Sequence, residues 1–303
     1  VLFRSVATVS RVINNSDSVK EINRDKVLKA IEASNYQPNL LARQLRTARS
    51  SMVLVLVSDI SNPFCAEIVK GIEAQAEQNG YRILLCNSGA DINRSRSSLQ
   101  LLAGKMVEGV ITMDAFTRLP ELTQLIGDMP WVQCAEYADA GDISCVGIND
   151  TDAARQLVAH LADGGRRHIA LINHDLSYKY AQLRQQGYQQ ELESRGLSWQ
   201  AIGYASDLSF SAGKQAMQAL LRRDSRPDAV FAVSDTLAAG AMSAIESAGL
   251  RIPQDIAVAG FDGTELAEIV SPALTTVAQP SREIGRTAFD LLLKKIADPQ
   301  APT

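Results

Sequence analysis

Met52-Val53-Leu54-Val55-Leu56-Val57 is an unbroken apolar hexamer, and Ser58-Asp59-Ile60-Ser61-Asn62-Pro63-Phe64 follows it. A strand with one wet face alternates apolar and polar residues. A strand that is apolar throughout is covered on both faces, as in a parallel sheet between helices. The flanking sequence repeats this theme. Helices are predicted over 64–78 and 94–105, and strands over 81–86, 109–113, Trp131–Cys134 and 145–148. The series then restarts with a strand at Ile169–Asn173, helices over 180–194 and 212–221 and a strand over 229–233. A helix over 237–248, strands over 256–261 and 274–277 and a helix over 282–296 complete it. The repetition predicts an α/β protein with two similar lobes of parallel sheet.

Composition adds a second, smaller part. The chain has 303 residues, 46% of them hydrophobic, enough for a large core and too many for one small module. Net charge is −4, but unevenly spread: residues 1–50 hold nine Lys/Arg against four Asp/Glu (+5), leaving twenty-one against thirty (−9) in the rest. A basic head on an acidic body concentrates attraction for phosphates at one end. No run approaches the roughly 18 apolar residues of a membrane span, and the head lacks the apolar centre of a signal peptide. A cytoplasmic protein with no membrane partner is predicted. Cys65, Cys86, Cys134 and Cys145 form no C-x-x-C and read as buried free thiols.

Within the head, Thr8-Val9-Ser10-Arg11-Val12-Ile13-Asn14 places Val9, Val12 and Ile13 on one helical stripe and Thr8, Arg11 and Asn15 on the other. Arg suits the paired acceptors of guanine, and small hydroxyls allow close approach to a backbone. Ser18-Val19-Lys20-Glu21 has the form of a capping box opening a second helix, which is expected to bury Val27, Leu28 and Ile31 and to fray near Asn35. The stretch from Pro38 to Arg46 reads as a third helix, too short to be stable without a partner.

This order of elements, with Tyr36-Gln37-Pro38-Asn39 and Ala42-x-x-Leu45 after them, resembles the headpiece and hinge of the LacI/GalR family of transcriptional regulators. The resemblance implies a partial helix-turn-helix headpiece with Val6, Ala7 and Arg11 as base-reading positions, and with Thr8, Ser10 and Asn14 nearer the phosphates. Paired hinge helices of a homodimer are implied to enter the minor groove of double-stranded operator DNA, with Asn39 and Ala42 in the hinge and Leu45 wedged into the central step. An ordinary linker residue is the alternative for Leu45. The resemblance covers essentially the whole chain and implies a two-lobed core like a type I periplasmic-binding protein. The last helix of such a core returns to the first lobe. That assigns 1–50 to headpiece and hinge, 51–148 and 278–297 to the first lobe, and 149–277 to the second within a 51–303 core. Val1-Leu2-Phe3-Arg4-Ser5 reads as a non-native extension, and further sequence is expected at both ends.

Ligands of open α/β sheets sit beyond the carboxyl ends of strands. Asp59 and Phe64 follow the first strand, Glu136 the fourth, Asp235 the 229–233 strand and Asp262 the 256–261 strand. These acids are expected to accept hydrogen bonds from hydroxyls in the interlobe cleft, with Phe64 stacking on a sugar or base. Asp235 has a second reading, as a cap for the helix that follows it. By resemblance Arg184, Asp235 and Asp262 are cleft positions, and Cys65 and Leu208 stand where relatives often carry pocket aromatics. The implied effector is a nucleoside, purine or sugar. Segments such as Ala135-Glu136-Tyr137-Ala138 and Ala278-Gln279-Pro280 resemble the cytidine-responsive branch.

Enzyme motifs are missing: there is no G-x-G-x-x-G, P-loop or H-E-x-x-H, and His160, His168 and His174 are scattered. No catalytic residue, cofactor or metal is predicted. The expected function is that of a repressor controlled by a small molecule; the alternative is a solute-binding protein of the same two-lobed fold.

Overall fold

The computed structural model describes residues 6–13, 18–34, 50–89, 92–103, 106–113, 119–137 and 143–298. The chain divides into two compact units, Val1–Ser50 and Ser51–Thr303.

In the first unit, α1 spans Val6–Ile13 and α2 spans Glu21–Ala33. Val12 is buried and Val9 half-buried, whereas Arg11 on the other side of α1 is exposed. The second helix departs from its sequence reading. It opens on Lys20, whose carbonyl accepts from the backbone of Asn23 at 2.8 Å, without a side-chain cap. The helix starts at Glu21, the last residue of the Ser18–Glu21 segment. Val27 is buried as expected from its spacing, but Leu28 is exposed and Ile31 only half-buried. The hinge segment, with Asn39, Ala42 and Leu45, lies outside the described residues, as does Asn14.

The second unit holds two parallel five-stranded sheets. Strands β1 (Met52–Val57), β2 (Arg82–Asn87), β3 (Val110–Met113), β4 (Trp131–Cys134) and β5 (Ser144–Val146) form the first, in the order β2-β1-β3-β4-β5. Strands β6 (Ile169–Asn173), β7 (Ala201–Tyr204), β8 (Ala229–Ala232), β9 (Ala257–Asp262) and β10 (Thr275–Ala278) form the second, in the order β10-β9-β8-β6-β7. Continuous apolar strands do become central: Val53 to Val57 and Ile169 to Ile172 are all buried. Each sheet reverses direction at its first strand, since β1 pairs with β2 and β3, and β6 with β7 and β8. Such switch points open a crevice beyond the strand ends.

The connecting helices are α3 (Pro63–Gln78), α4 (Ile92–Ala103), α5 (Leu119–Ile126), α6 (Asp150–Asp163), α7 (Lys179–Ser194), α8 (Phe210–Leu221), α9 (Asp235–Ser247), α10 (Leu266–Ile269) and α11 (Ser281–Ala297). The sequence reading gave no bounds for α5, α6, α10 or β7. The last helix, α11, packs on α3 of the first sheet at glycines: a Cβ on Gly71 would overlap the Arg282 carbonyl, and one on Gly285 the Ile68 carbonyl. Gln75 and Asp290 join the same pair at 2.7 Å, and Arg282 and Glu67 at 2.7 Å. Helices α8 and α9 approach in the same way through Gly213 and Gly240. Of the thiols, Cys65 and Cys134 are buried, Cys86 is half-buried and Cys145 exposed, so burial holds for two of the four. Edge strands β2 and β5 account for the other two. Among the described residues no helix is long and apolar enough to cross a membrane.

Candidate effector site

A cavity of about 800 Å³ lies between the carboxyl ends of the two sheets. Seven of the eight residues singled out for ligand binding line it: Asp59, Phe64, Cys65, Glu136, Arg184, Leu208 and Asp262. Asp235 does not.

Arg184 on α7 is the centre of charge. Its Nε donates to Asp150 Oδ1 at 2.8 Å, one Nη donates to the Val233 carbonyl at 2.7 Å, and the same Nη stands 3.8 Å from Asp262 Oδ1. The guanidinium lies 3.6 Å over the Phe261 ring and 4.9 Å from the Tyr180 ring. Arg184, Asp150 and Asp262 are all buried, so each needs the others to offset lost hydration. Asp262 ends β9 with a positive φ of 116°, a conformation that L residues avoid. Gln279 holds it there, donating its backbone N–H to the Asp262 carbonyl at 3.0 Å and its Nε2 to Oδ1 at 2.9 Å. Burial pushes the Asp262 carboxyl up to about 8, against the pull of Arg184.

Glu136 joins the two sheets. It follows β4, yet its carboxylate accepts from the backbone N–H groups of Lys179 (2.5 Å) and Tyr180 (3.2 Å) at the start of α7. A carboxylate suits those free donors and the positive end of the helix. Burial opposes this and raises the carboxyl to about 7, while the two backbone hydrogen bonds pull it down.

Asp235 lies behind the cavity wall. Its Oδ2 accepts from the Thr264 N–H (2.7 Å) and hydroxyl (2.9 Å), and Oδ1 accepts from the Thr276 hydroxyl (2.6 Å). Gly260 leaves the room: a Cβ there would collide with Oδ1. Nor does Asp235 cap α9, because the Ser234 hydroxyl accepts from Leu237 N–H at 3.2 Å. Asp59 is exposed and folds back on its own loop, accepting from the Ser61 N–H (2.9 Å) and hydroxyl (2.7 Å). The sequence reading missed His174, Tyr178 and Tyr180, which line the cavity just past β6. Among the described residues no group of three or more His, Cys, Asp and Glu side chains could hold a metal.

Residues 5–39 match the model of bacterial regulatory proteins of the lacI family, and 158–303 match the periplasmic binding protein-like domain. The chain is 35% identical to the ribose operon repressor of Haemophilus influenzae, over 97% of this chain and 89% of that protein. The chain belongs to the LacI family. It is also 34% identical to the transcriptional repressor PurR of Vibrio vulnificus, over 97% and 89% of the two chains. The solved structure of the lac repressor dimer bound to operator and the anti-inducer ONPF is similar, with a TM-score of 0.86 and 30% identity over 98% of this chain and 90% of that one. As a member of this family the chain is a DNA-binding transcriptional repressor with a small-molecule effector. The match over 5–39 removes the reading as a solute-binding protein without a DNA role.

Proposed function

We propose that the chain acts as a dimer on operator DNA under control of a small polyhydroxylated effector, a sugar or a nucleoside, held between the two sheets. One observation carries this: carboxyls that follow strands of both sheets, the α7 arginine and the Phe64 ring of α3 converge on a cavity. Ribose operon repressors among the relatives support a pentose. The sequence likeness to the cytidine-responsive branch supports the same unit inside a nucleoside. Arg184 and Asp262 form the hydroxyl-binding end, with a donor fork beside an acceptor. Closure of the first sheet on the effector, with Glu136 as the connecting contact, couples the cavity to the N-terminal unit. A coupling free energy of about 1–3 kcal/mol is sufficient.

On the DNA side Arg11 is the base reader, supported by its exposure on α1 opposite buried Val12. Thr8 lies half-buried on the same helix, Val6, Ala7 and Ser10 belong to it as well, and Leu45 is the proposed wedge of the hinge. The test is selection of an operator from random duplexes, followed by anisotropy titration with and without ribose or cytidine. We expect a preferred sequence whose affinity responds to at least one of them. Arg11→Ala should lose about 1–3 kcal/mol on that sequence and much less on random duplex. Equal affinity for all duplexes, unresponsive to either compound, would refute the proposal.

A further inference from the structure

The amino ends of β1, β2 and β3 lie at the opposite end of the first sheet from the cavity, and the chain enters the core there at Ser51. Ser51 is exposed and has a φ of 51°, left-handed backbone that a residue with a Cβ rarely takes. Such a conformation persists only where its surroundings impose it. Here the Ser51 N–H donates to Glu108 Oε1 at 2.7 Å, and the Ser51 carbonyl accepts from the Arg82 N–H at 2.9 Å. An exposed N–H can take water as its partner, so stability alone does not require a carboxylate at this point. The bond selects a direction for the backbone.

Glu108 is itself firmly placed. Its N–H donates to the Met52 carbonyl at 2.8 Å, and the carbonyl of the next residue, Gly109, accepts from the Leu54 N–H at 3.0 Å. The second carboxylate oxygen, Oε2, accepts from the Tyr81 hydroxyl at 3.0 Å. Tyr81 stands edge-on to buried Phe289 of α11, with ring centroids 5.8 Å apart and planes at 69°. Gly109 lets the same helix approach, since a Cβ there would come within 2.8 Å of Leu292 Cδ1. One half-buried carboxylate therefore ties the first residue of the core to β3 and, through Tyr81, to α11. Helix α3, whose first turn lines the cavity at Phe64 and Cys65, packs on α11 and ends at Gln78, just before Tyr81. The helix pair that walls the cavity thus reaches the clamp at its far end.

We propose that Glu108 is a positioning residue for operator recognition: by holding Ser51 in its left-handed conformation it sets the direction in which the N-terminal unit leaves the core. Tyr81 makes that direction answer to the α3–α11 pair. This rests on the operator-binding reading above and deepens it. A dimer that reads paired half-sites must present its headpieces in a fixed geometry, whereas attraction of basic residues to phosphates tolerates a loose one. Loss of the clamp is felt as loss of sequence preference.

Anisotropy titrations of the full chain with the selected operator and with random duplex test it, each variant being measured below its own unfolding transition. Glu108→Ala should weaken operator binding on the order of tenfold, as expected from one charge-assisted hydrogen bond, and leave random-duplex affinity within about twofold. Glu108→Gln keeps an oxygen for the Ser51 N–H and offers an N–H to the Tyr81 hydroxyl, and should recover most of the loss. Ser51→Pro removes the N–H and forbids a positive φ; it should match Glu108→Ala, and the double variant should be no worse than either single one. An operator-to-random ratio that Glu108→Ala leaves within about twofold of the native one overturns the proposal, as does a double variant whose losses add. Equal loss on both duplexes makes Glu108 a residue of general stability and overturns it too. Should Glu108→Ala not fold, Tyr81→Phe decides: it keeps the ring and removes one bond to the carboxylate, so the ratio should fall about threefold, and an unchanged ratio refutes the role. A native chain with no preferred duplex brings down the operator reading itself, and the clamp with it.

Discussion

The two sheets furnish the cavity unequally. From the second come Arg184, Asp262 and the rings of His174, Tyr178 and Tyr180, with Arg184 bonded to buried Asp150 and His174 to Tyr180. From the first come Phe64, Cys65 and Met113, the polar loop residues Asp59, Ser61, Asn62 and Asn87, and Glu136, the acid that reaches across. A prebuilt charge network fixes direction and chemistry at low reorganisation cost, whereas a wall of apolar side chains and local turn groups, tied across at Glu136, can move without breaking the Arg184 network. On this comparison the second sheet recognises and the first closes.

The sharpest way to break it is at Arg184. Arg184→Met leaves buried Asp150 without its bonded partner, and removing one partner of a buried charge pair costs about 3–5 kcal/mol. Denaturant unfolding should show a loss of that size, together with loss of effector binding. Adding Asp150→Asn should return part of the stability without restoring binding, because the stranded charge is gone but the guanidinium is still missing. A single variant of unchanged stability would mean that the network is not what holds this half rigid.

The cross-link gives the next effect. Glu136 titrates near 7 in the folded chain against an ordinary 4.5, because burial outweighs its two backbone hydrogen bonds. A raised carboxyl contributes stability in its protonated form. That contribution is complete below the ordinary value and is lost as pH rises through the folded one. Between about pH 4.5 and 7.5 the native chain should therefore lose stability relative to Glu136→Gln, on the order of 3 kcal/mol in total. Asp262 adds its own slope in both proteins, so the difference between the two curves isolates Glu136. Parallel curves would show that the carboxyl does not hold this proton and that the contact between the sheets is made by an ionised carboxylate across the range.

Much of this was legible in the sequence, for identifiable reasons. Buried parallel strands announce themselves as unbroken apolar runs, and the strand-end rule picks out Asp59, Phe64, Glu136 and Asp262 without any partner being visible. Arg184 came from resemblance alone, since nothing in a helix interior marks an arginine as buried. The same strand-end rule, applied to Asn173, would have found His174; histidines were weighed as catalysts and dismissed. Strand β7 was hidden because Ala201-Ile202-Gly203-Tyr204 is short, contains a glycine and exposes Tyr204 at the sheet edge. Asp235 shows the limit of the rule: a residue can follow a strand and still turn its carboxylate inward when two threonines from later segments, Thr264 and Thr276, reach it first. Pairings that distant in sequence leave no local pattern to read.

Asp59 sharpens the comparison with the smallest effect. It lines the cavity from the first sheet, but its Oδ1 is already engaged by Ser61 N–H and hydroxyl in a local turn, and the side chain is exposed. Exposed polar groups with local partners contribute little, typically within about 0.5 kcal/mol on substitution. Asp59→Asn keeps an oxygen acceptor for the turn and removes the charge, so effector affinity should stay within about twofold by calorimetry. A loss of tenfold or more would place a polar ligand contact on the first sheet, and the division between a recognising half and a closing half would then have to be redrawn with both sheets holding the effector's hydroxyls.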